Sequence, residues 1–391
     1  MNRLYIFNPE HDMALAAWSA NYQAPESTLF LASDLAMLPR WYAESGGVVF
    51  NRGDLTPFDG EGDRFEMVEP WGWDPAVRRL LIVNGVSENI LPKDGKLEKI
   101  RDLSHRRIAT KAMDFLRADL SGRWELPMAA EELHSVDEVR NYCERYGQTV
   151  LKAPWSSSGR GVYWTDANFT QSVSGWIKRV IDKQGSIMAE KALKRRMDFA
   201  MEFRVVDQKT EFVGYSLFIT EKSGMYRGNR LMSNEDILAE LGKKVDVEEI
   251  DAAKESLTRF IDGHIAHTYY GYIGVDMFIY EENGEMRLNP VVEINLRMTM
   301  GVVARILYDR YVAKGVKGLF MIEHKSPGRL YVHHQWQNAK EKMQYDSNGK
   351  MTEGYLSLCD VTPNTLYRAS ILLGDVAANY ESKQYSDIMD K

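Results

Sequence analysis

The run from Tyr272 to Leu296 constrains this chain more than any other. Tyr272-Ile273-Gly274-Val275-Asp276-Met277-Phe278-Ile279 and Val291-Val292-Glu293-Ile294-Asn295-Leu296 are apolar segments that each carry an acid, and Asn283-Gly284 lies between them. Asn-Gly is the strongest short hairpin signal, because both central residues of a type I′ turn need positive φ. With those two residues as the loop, Glu282 pairs with Glu285, and Asp276 falls opposite Val291 and diagonal to Glu293. Side chains alternate along a strand, so Asp276, Glu293 and Asn295 project from one face. Carboxylates buried in apolar strands are costly unless a cation compensates them. Three oxygen donors on one face suit a hard divalent cation such as Mg²⁺. The alternative is a half-exposed sheet on which water solvates all three. Pro290 cannot donate to the ladder, and a bulge there would shift the faces by one residue.

A second feature lies upstream. Lys152-Ala153-Pro154-Trp155-Ser156-Ser157-Ser158-Gly159-Arg160-Gly161-Val162 joins two expected strands, Thr149–Ala153 and Gly161–Trp164. Small residues let backbone N–H groups approach an anion, and the strand-end lysine supplies a fixed positive charge. Polyphosphate is the anion that needs both. The lysine precedes the loop, so this is not GxxxxGK[ST], and Trp164 stands where GxGxxG needs its third glycine. Taken alone, the segment also reads as an ordinary hairpin turn.

Composition removes several functional classes. Lys plus Arg number 49 against 56 Asp plus Glu, and the net charge of -7 gives no global attraction to nucleic acid or an anionic membrane. Two distant cysteines, Cys143 and Cys359, exclude a disulfide scaffold and a zinc ribbon. The first residues lack the apolar core of a signal peptide, and no stretch approaches the ~18 apolar residues of a membrane span. The expected setting is a reducing cytoplasm, with no nucleic-acid or membrane partner.

Periodicity outlines the rest. Arg3–Asn8 reads as a strand, and Gly47–Phe50 and Leu80–Val83 as further strands of an open α/β unit. The turn Asn8-Pro9-Glu10-His11-Asp12 follows the first strand, where such sheets place ligands; it reads equally as a helix N-cap cluster. Lys96–Leu116 reads as one helix carrying Arg101, Arg106, Arg107 and Lys111. A capping box at Ser135–Glu138 opens a helix whose apolar stripe includes Cys143. Glu221–Arg230 is a basic, Gly-containing loop with the composition of a lid, in which Lys222, Arg227 and Arg230 would guide an acidic substrate. Helices are expected at Asn234–Gly242, Glu248–Tyr269 and Gly301–Tyr311, and strands at Leu330–His334 and Gly354–Cys359. His264 and His267 read as ordinary helix-face residues, and His333 and His334 as opposite faces of a strand.

In this order and at these separations, the strand-end lysine, the Ser/Gly loop, Glu190 and the Asp…Glu-x-Asn-x-Arg set resemble the ATP-grasp superfamily, which includes D-alanine–D-alanine ligase, glutathione synthetase and biotin carboxylase. The resemblance implies a chain of mixed α/β and α+β class. An N-terminal open α/β domain of the pre-ATP-grasp kind (1–95) precedes a two-subdomain ATP-grasp fold, with a small subdomain (96–190), a large subdomain (191–325) and a strand-containing extension (326–391). It further implies that ATP is bound by Lys152 and by the loop residues Ser156, Ser157, Ser158, Gly159 and Gly161. Glu190, Lys191 and Leu193 would form the adenine hinge. Asp198 would hold the ribose, with Glu202 competing for that role, and Lys111 would add a cation. Asp276, Glu293 and Asn295 match the Mg²⁺ ligands, and Arg297 a catalytic arginine beside the transferring phosphoryl group.

The implied activity is that of a ligase that activates a small-molecule carboxylate as an acyl phosphate for attack by an amine or similar nucleophile. A small-molecule kinase and a nucleotide-binding regulator are the competing readings. The Asn8–Asp12 turn, His11 included, would then border the acceptor site. A homodimer is the default assembly.

Overall fold

The computed structural model of the chain describes residues 2–51, 65–120, 122–156, 161–166, 168–220 and 226–380. β1 (Arg3–Ile6), β2 (Val48–Val49) and β3 (Met67–Pro70) form a parallel sheet in the order β2-β1-β3. Leu4 and Ile6 face Val68, Val77 and Leu81, while Tyr5 and Phe7 enter a second core. Burial on both faces is why this strand reads as a continuous apolar run. Helices α1 (His11–Ala17) and α2 (Glu26–Asp34) connect β1 to β2, and α3 (Pro75–Val83) follows β3.

Leu80–Val83, expected as a strand, belongs to α3. Asp74 decides this: its carboxylate accepts from the N–H groups of Ala76 and Val77, each at 2.9 Å, and Pro75 occupies the first turn. The single helix expected over Lys96–Leu116 is two, α4 (Asp94–Leu103) and α5 (Arg107–Asp119), broken at Ser104–Arg106.

β4 (Glu131–Leu133), β5 (Thr149–Lys152), β6 (Val162–Thr165) and β7 (Ile187–Lys191) make an antiparallel sheet in the order β4-β7-β5-β6. α6 (Val136–Tyr146) and α7 (Gln171–Gln184) cover one face, with Cys143 fully buried between them. Next come β8 (Lys194–Val206), β9 (Lys209–Ser216), β10 (Phe218–Thr220), β11 (Tyr226–Leu231), α8 (Asn234–Gly242), α9 (Val247–His264), β12 (Gly271–Glu282) and β13 (Glu285–Asn295). Strands β13-β12-β8-β9 form the central antiparallel sheet. One face packs on α9 and on α5, whose Ile108, Ala112 and Leu116 join Phe199, Phe203 and Ile273 in the largest core.

α10 (Met300–Tyr311), β14 (Gly318–His324), α11 (Arg329–Lys340), β15 (Gln344–Tyr345), β16 (Met351–Ser357) and β17 (Tyr367–Leu373) complete the numbered elements. The third large sheet runs β10-β11-β14-β17-β16-β15, so residues 326–391 contribute strands to a sheet begun before them. Two expectations are corrected here. Tyr226–Leu231, expected within a loop, is a strand paired with β14 through Arg230 opposite Leu319. Leu330–His334 is the start of helix α11, which follows Gly328 and buries Leu330 and Gln337. His333 Nδ1 therefore accepts from Arg368 at 3.2 Å and His334 Nδ1 lies 2.8 Å from the Tyr355 hydroxyl, both in one buried cluster rather than on opposite sheet faces. His264 stacks on Phe260 at the end of α9, and His267 lies beyond the helix. Among the described residues no helix is long and apolar enough to cross a membrane.

The approach of the two N-terminal turns is close. A Cβ on Gly72 would stand 2.4 Å from the His11 ring. Gly72→Ala is expected to cost about 1–3 kcal/mol, read as a lower urea midpoint at unchanged m-value. Gly95→Ala, which meets no heavy atom within 4 Å, is the control and is expected to be neutral or slightly stabilising.

Candidate active site

Alternation along β5 and β7 turns Val150, Lys152, Met188 and Glu190 to the same side of the small sheet. They wall a cleft of about 600 Å³, open to solvent, closed opposite by Arg106, Ala109 and Met113 at the head of α5 and by Phe278 and Val291 of the central sheet. Lys152 is 6% exposed, and its Nζ lies 2.7 Å from Glu190 Oε1. Burial lowers its pKa, an effect the Glu190 carboxylate partly offsets. Lys191, Leu193 and Arg195 form the rim, with the Arg195 guanidinium 4.3 Å from the Phe278 ring. Four cationic side chains and one carboxylate line this cleft among the described residues, a balance suited to a polyanion.

Val291 and Val292 of this wall lead along β13 to the acids. Phe278 pairs with Asn289 but Asp276 pairs with Glu293, so β13 carries two extra residues around Pro290. The bulge sits where the proline predicts it, yet a shift of two preserves the face: Asp276 stands directly opposite Glu293 rather than Val291, with Asn295 on the same side. Burial, reinforced by the Glu293 carboxylate, pushes the Asp276 pKa upward, and Asn295 Nδ2 donates to Asp276 Oδ2 at 3.3 Å. No cation is bonded to Asp276 among the described residues. Two carboxylates and one amide oxygen fit a hard cation that completes its shell with phosphate and water. Among the described residues no three His, Cys, Asp or Glu side chains converge, so the protein alone offers no closed metal cage.

Arg106 is the residue that sequence reasoning missed. Its Nη2 donates to both Glu293 oxygens at 2.8 Å, and its Nη1 donates to the Ala153 carbonyl at 2.6 Å and to Ser156 Oγ at 2.7 Å. The break at Ser104–Arg106 aims it there, with the Arg106 N–H held by the Pro154 carbonyl at 3.2 Å. His105, 2% exposed, braces the break: its Nδ1 accepts from the Arg107 N–H at 3.0 Å, and burial pushes its pKa down to about 4. Its Nε2 faces Ser186 and Glu132, but with Nδ1 accepting, Nε2 carries the proton and cannot act as a base toward Ser186. Lys111 is exposed and lies off the cleft, so α5 brings Arg106 to the site instead. The Ser-His pair just before Arg106, which interrupts the apolar stripe, is the signal that could have found it.

The loop mouth is narrow. Gly161 has φ +71 and its carbonyl accepts from the Ala153 N–H at 2.8 Å; a Cβ there would meet Ser156 at 2.9 Å. Ser157, Ser158, Gly159 and Lys222 lie outside the described residues. Arg227 donates to the Tyr380 hydroxyl at 3.2 Å, and neither it nor Arg230 lines the cleft. Their place in β11 accounts for this.

Arg297 closes the far end. Its Nε donates to Asp12 Oδ1 and Oδ2 at 3.2 and 3.0 Å, and its Nη2 donates to Asn295 Oδ1 at 3.1 Å. Burial would raise the Asp12 pKa, but Arg297 outweighs it and the carboxyl sits below its ordinary value. A second cavity of about 290 Å³ lies beyond, between His11, Asp12, Trp155, Ser156 and Glu293–Leu296. Glu10 holds the N-cap position of α1 without a side-chain cap bond, and Asp12 lies in the first turn.

No family model matches the chain, and no curated protein matches it. Solved structures do, along nearly its whole length. An N5-carboxyaminoimidazole synthetase from Staphylococcus aureus, complexed with ADP, is 11% identical over 98% of this chain and 96% of that one, with a TM-score of 0.52. The biotin carboxylase domain of the Hydrogenobacter thermophilus 2-oxoglutarate carboxylase, crystallised with MgADP, ADP and bicarbonate, is 12% identical over 95% and 86%, also at 0.52. A biotin carboxylase from Campylobacter jejuni is 10% identical over 95% and 87%, again at 0.52. The fold is the ATP-grasp fold.

Within the ATP-grasp fold, Lys152, Glu190 and Leu193 line the first cleft, Glu293 and Asn295 line the second cavity, and Asp276 and Arg297 are each hydrogen-bonded to Asn295. Asp198 shares the acid-bearing face, opposite Phe278 and 3.7 Å from Arg195, and burial raises its pKa. Glu202, the competitor for the ribose, is tied elsewhere: it accepts from Ser216 Oγ at 2.9 Å and Thr299 Oγ1 at 3.0 Å beneath α10, 1% exposed.

Burial pushes Glu202 from an ordinary 4.5 to about 8. Between those values the folded protein holds a proton that the unfolded chain has released, so stability falls as pH rises through that window. Thermal melting from pH 5 to 8 is expected to show a falling Tm, with a shallower slope in Glu202→Gln. An equal slope in that variant contradicts the assignment.

Proposed function

We propose that this chain is an ATP- and Mg²⁺-dependent ligase that activates a carboxylate as an acyl phosphate for attack by an amine or similar nucleophile. One observation carries the reading: a cation-lined cleft is joined through Arg106 to a strand face of two carboxylates and an amide, and an arginine bonded to that amide follows it. A triphosphate lying along the cleft would place its adenine at Glu190, Lys191 and Leu193, its ribose near Asp198 and its α- and β-phosphates at Lys152. Asp276, Glu293 and Asn295 would hold Mg²⁺, which would neutralise charge on the transferring group when bound.

The chemistry needs no protein nucleophile. A substrate carboxylate oxygen attacks the γ-phosphorus and ADP leaves; the amine then attacks the acyl carbon, the acyl–oxygen bond breaks and phosphate departs. Lys152 and Arg297 are fixed donors aimed at developing negative charge, which is where preorganised electrostatics lower barriers most. Arg106, now bonded to Glu293, would transfer its donors to phosphate oxygens. The pairing of MgADP with bicarbonate in the Hydrogenobacter thermophilus relative supports a carboxylate-type anion next to the nucleotide. Two free thiols suit a reducing cytoplasm, and we propose a homodimer, as the biotin carboxylase domain of that relative forms.

The test is ADP and phosphate release, with Mg²⁺, from mixtures of carboxylates and amines. Amine-dependent release of both products supports the ligase, whereas a stable phosphorylated product made without amine supports a kinase. Glu293→Gln is expected to lower turnover by roughly 10²–10³-fold in a protein that stays folded, with a melting temperature lowered by loss of the Arg106 ion pair. Undiminished turnover in that variant refutes its metal role.

A further inference from the structure

The Asn8–Asp12 turn is the polar cluster that the proposed chemistry leaves without a task, and it is built with unusual rigidity. Asn8, His11 and Asp74 are each 1% exposed or less. Asn8 Nδ2 donates to the Gly72 carbonyl at 2.8 Å and to Asp74 Oδ2 at 3.1 Å, and His11 Nδ1 lies 3.3 Å from the same Asp74 oxygen. This network locks the start of α1 onto the start of α3, and so fixes the backbone that carries Asp12. The chain following Arg297 is gripped from the same domain, since the Met298 N–H donates to the Trp71 carbonyl at 2.8 Å.

Asp12 therefore meets Arg297 from a rigid platform. The contact continues inward without interruption: Arg297 Nε to Asp12, Arg297 Nη2 to Asn295 Oδ1, Asn295 Nδ2 to Asp276 Oδ2. An arginine side chain has four rotatable bonds, and a free one would sample many orientations at the end of a groove. The Asp12 carboxylate restricts that freedom by taking the Nε edge, while Nη1 donates to the Met298 carbonyl at 3.2 Å and Nη2 stays on the Asn295 side.

We infer that Asp12, contributed by the N-terminal domain, is a positioning residue: it acts through Arg297, holding the guanidinium where the terminal phosphate of a bound nucleoside triphosphate arrives. The inference rests on the nucleotide reading above and adds that the phosphate end of the site is incomplete without the N-terminal domain. A mere tie between domains would stabilise the fold but would not distinguish nucleotides by their terminal phosphate.

Calorimetric titration of the full chain with AMPPNP and with ADP, both with Mg²⁺, separates these possibilities without any knowledge of the substrate. In Asp12→Asn the preference for AMPPNP over ADP is expected to fall about tenfold, the scale of one charge-assisted hydrogen bond, with the ADP dissociation constant within about twofold of wild type. Asp12→Glu, which keeps the charge, should retain the wild-type preference within about threefold. Arg297→Lys should lose it, and adding Asp12→Asn to that variant should lower it no further. An unchanged preference in Asp12→Asn, an equal weakening of both nucleotides, or a loss in Asp12→Glu as large as in Asp12→Asn overturns the positioning role while leaving the nucleotide reading intact. Wild-type protein that binds neither nucleotide overturns both.

Discussion

Two carboxylates facing each other across an antiparallel pair in an otherwise apolar sheet are the constraint on which the site depends. Asp276 and Glu293 repel, and burial penalises Asp276 as an anion. The protein meets half of this with Arg106, whose guanidinium spans both oxygens of Glu293. Among the described residues it leaves Asp276 with only an amide donor. The remaining imbalance is what a divalent cation would relieve. Arg106 also ties Glu293 to the start of the Ser/Gly loop through Ala153 and Ser156, so the acid-bearing face and that loop share one cation.

The N-terminal domain is part of this arrangement rather than an appendage. Tyr5 and Phe7 share a core with Val302, Val303 and Leu307 of α10. Asp34 of α2 accepts from the N–H groups of Leu366 and Tyr367 at 2.8 and 2.9 Å. The Arg101 guanidinium sits 4.9 Å from the Trp18 ring and 4.2 Å from the Trp155 ring, connecting the end of α1 to the segment that enters the Ser/Gly loop. The second cavity is itself lined by residues distant in sequence, from His11 and Asp12 through Trp155 and Ser156 to Glu293–Leu296.

What could be read from the sequence follows from how local each cause is. Asn283 and Gly284 take φ of 54 and 87, so a two-residue turn sets the β12–β13 register near it, and Glu282 pairs with Glu285 as expected. Pro290 marked the bulge for a reason confined to one residue, its missing N–H; the size of the shift was not local and could not be read. Lys152 was legible because a strand end and a small-residue loop adjoin it. Leu80–Val83 and Leu330–His334 were misread because short apolar runs fit either periodicity, and the deciding residues, Asp74-Pro75 and Gly328, stand outside them. Arg106 escaped because its task depends on a helix break and on partners 47 to 187 residues away. Arg227 and Arg230 were given to a lid on composition, which cannot register that both lie in β11 and that Arg230 pairs with Leu319 of β14.

Electron paramagnetic resonance of Mn²⁺ in place of Mg²⁺ tests the central claim most directly, because it counts the ion itself. ADP is predicted to recruit Mn²⁺ to the wild-type chain, and Asp276→Asn combined with Glu293→Gln to abolish that recruitment while the protein remains folded. Nucleotide-dependent Mn²⁺ binding that survives both substitutions would contradict the account.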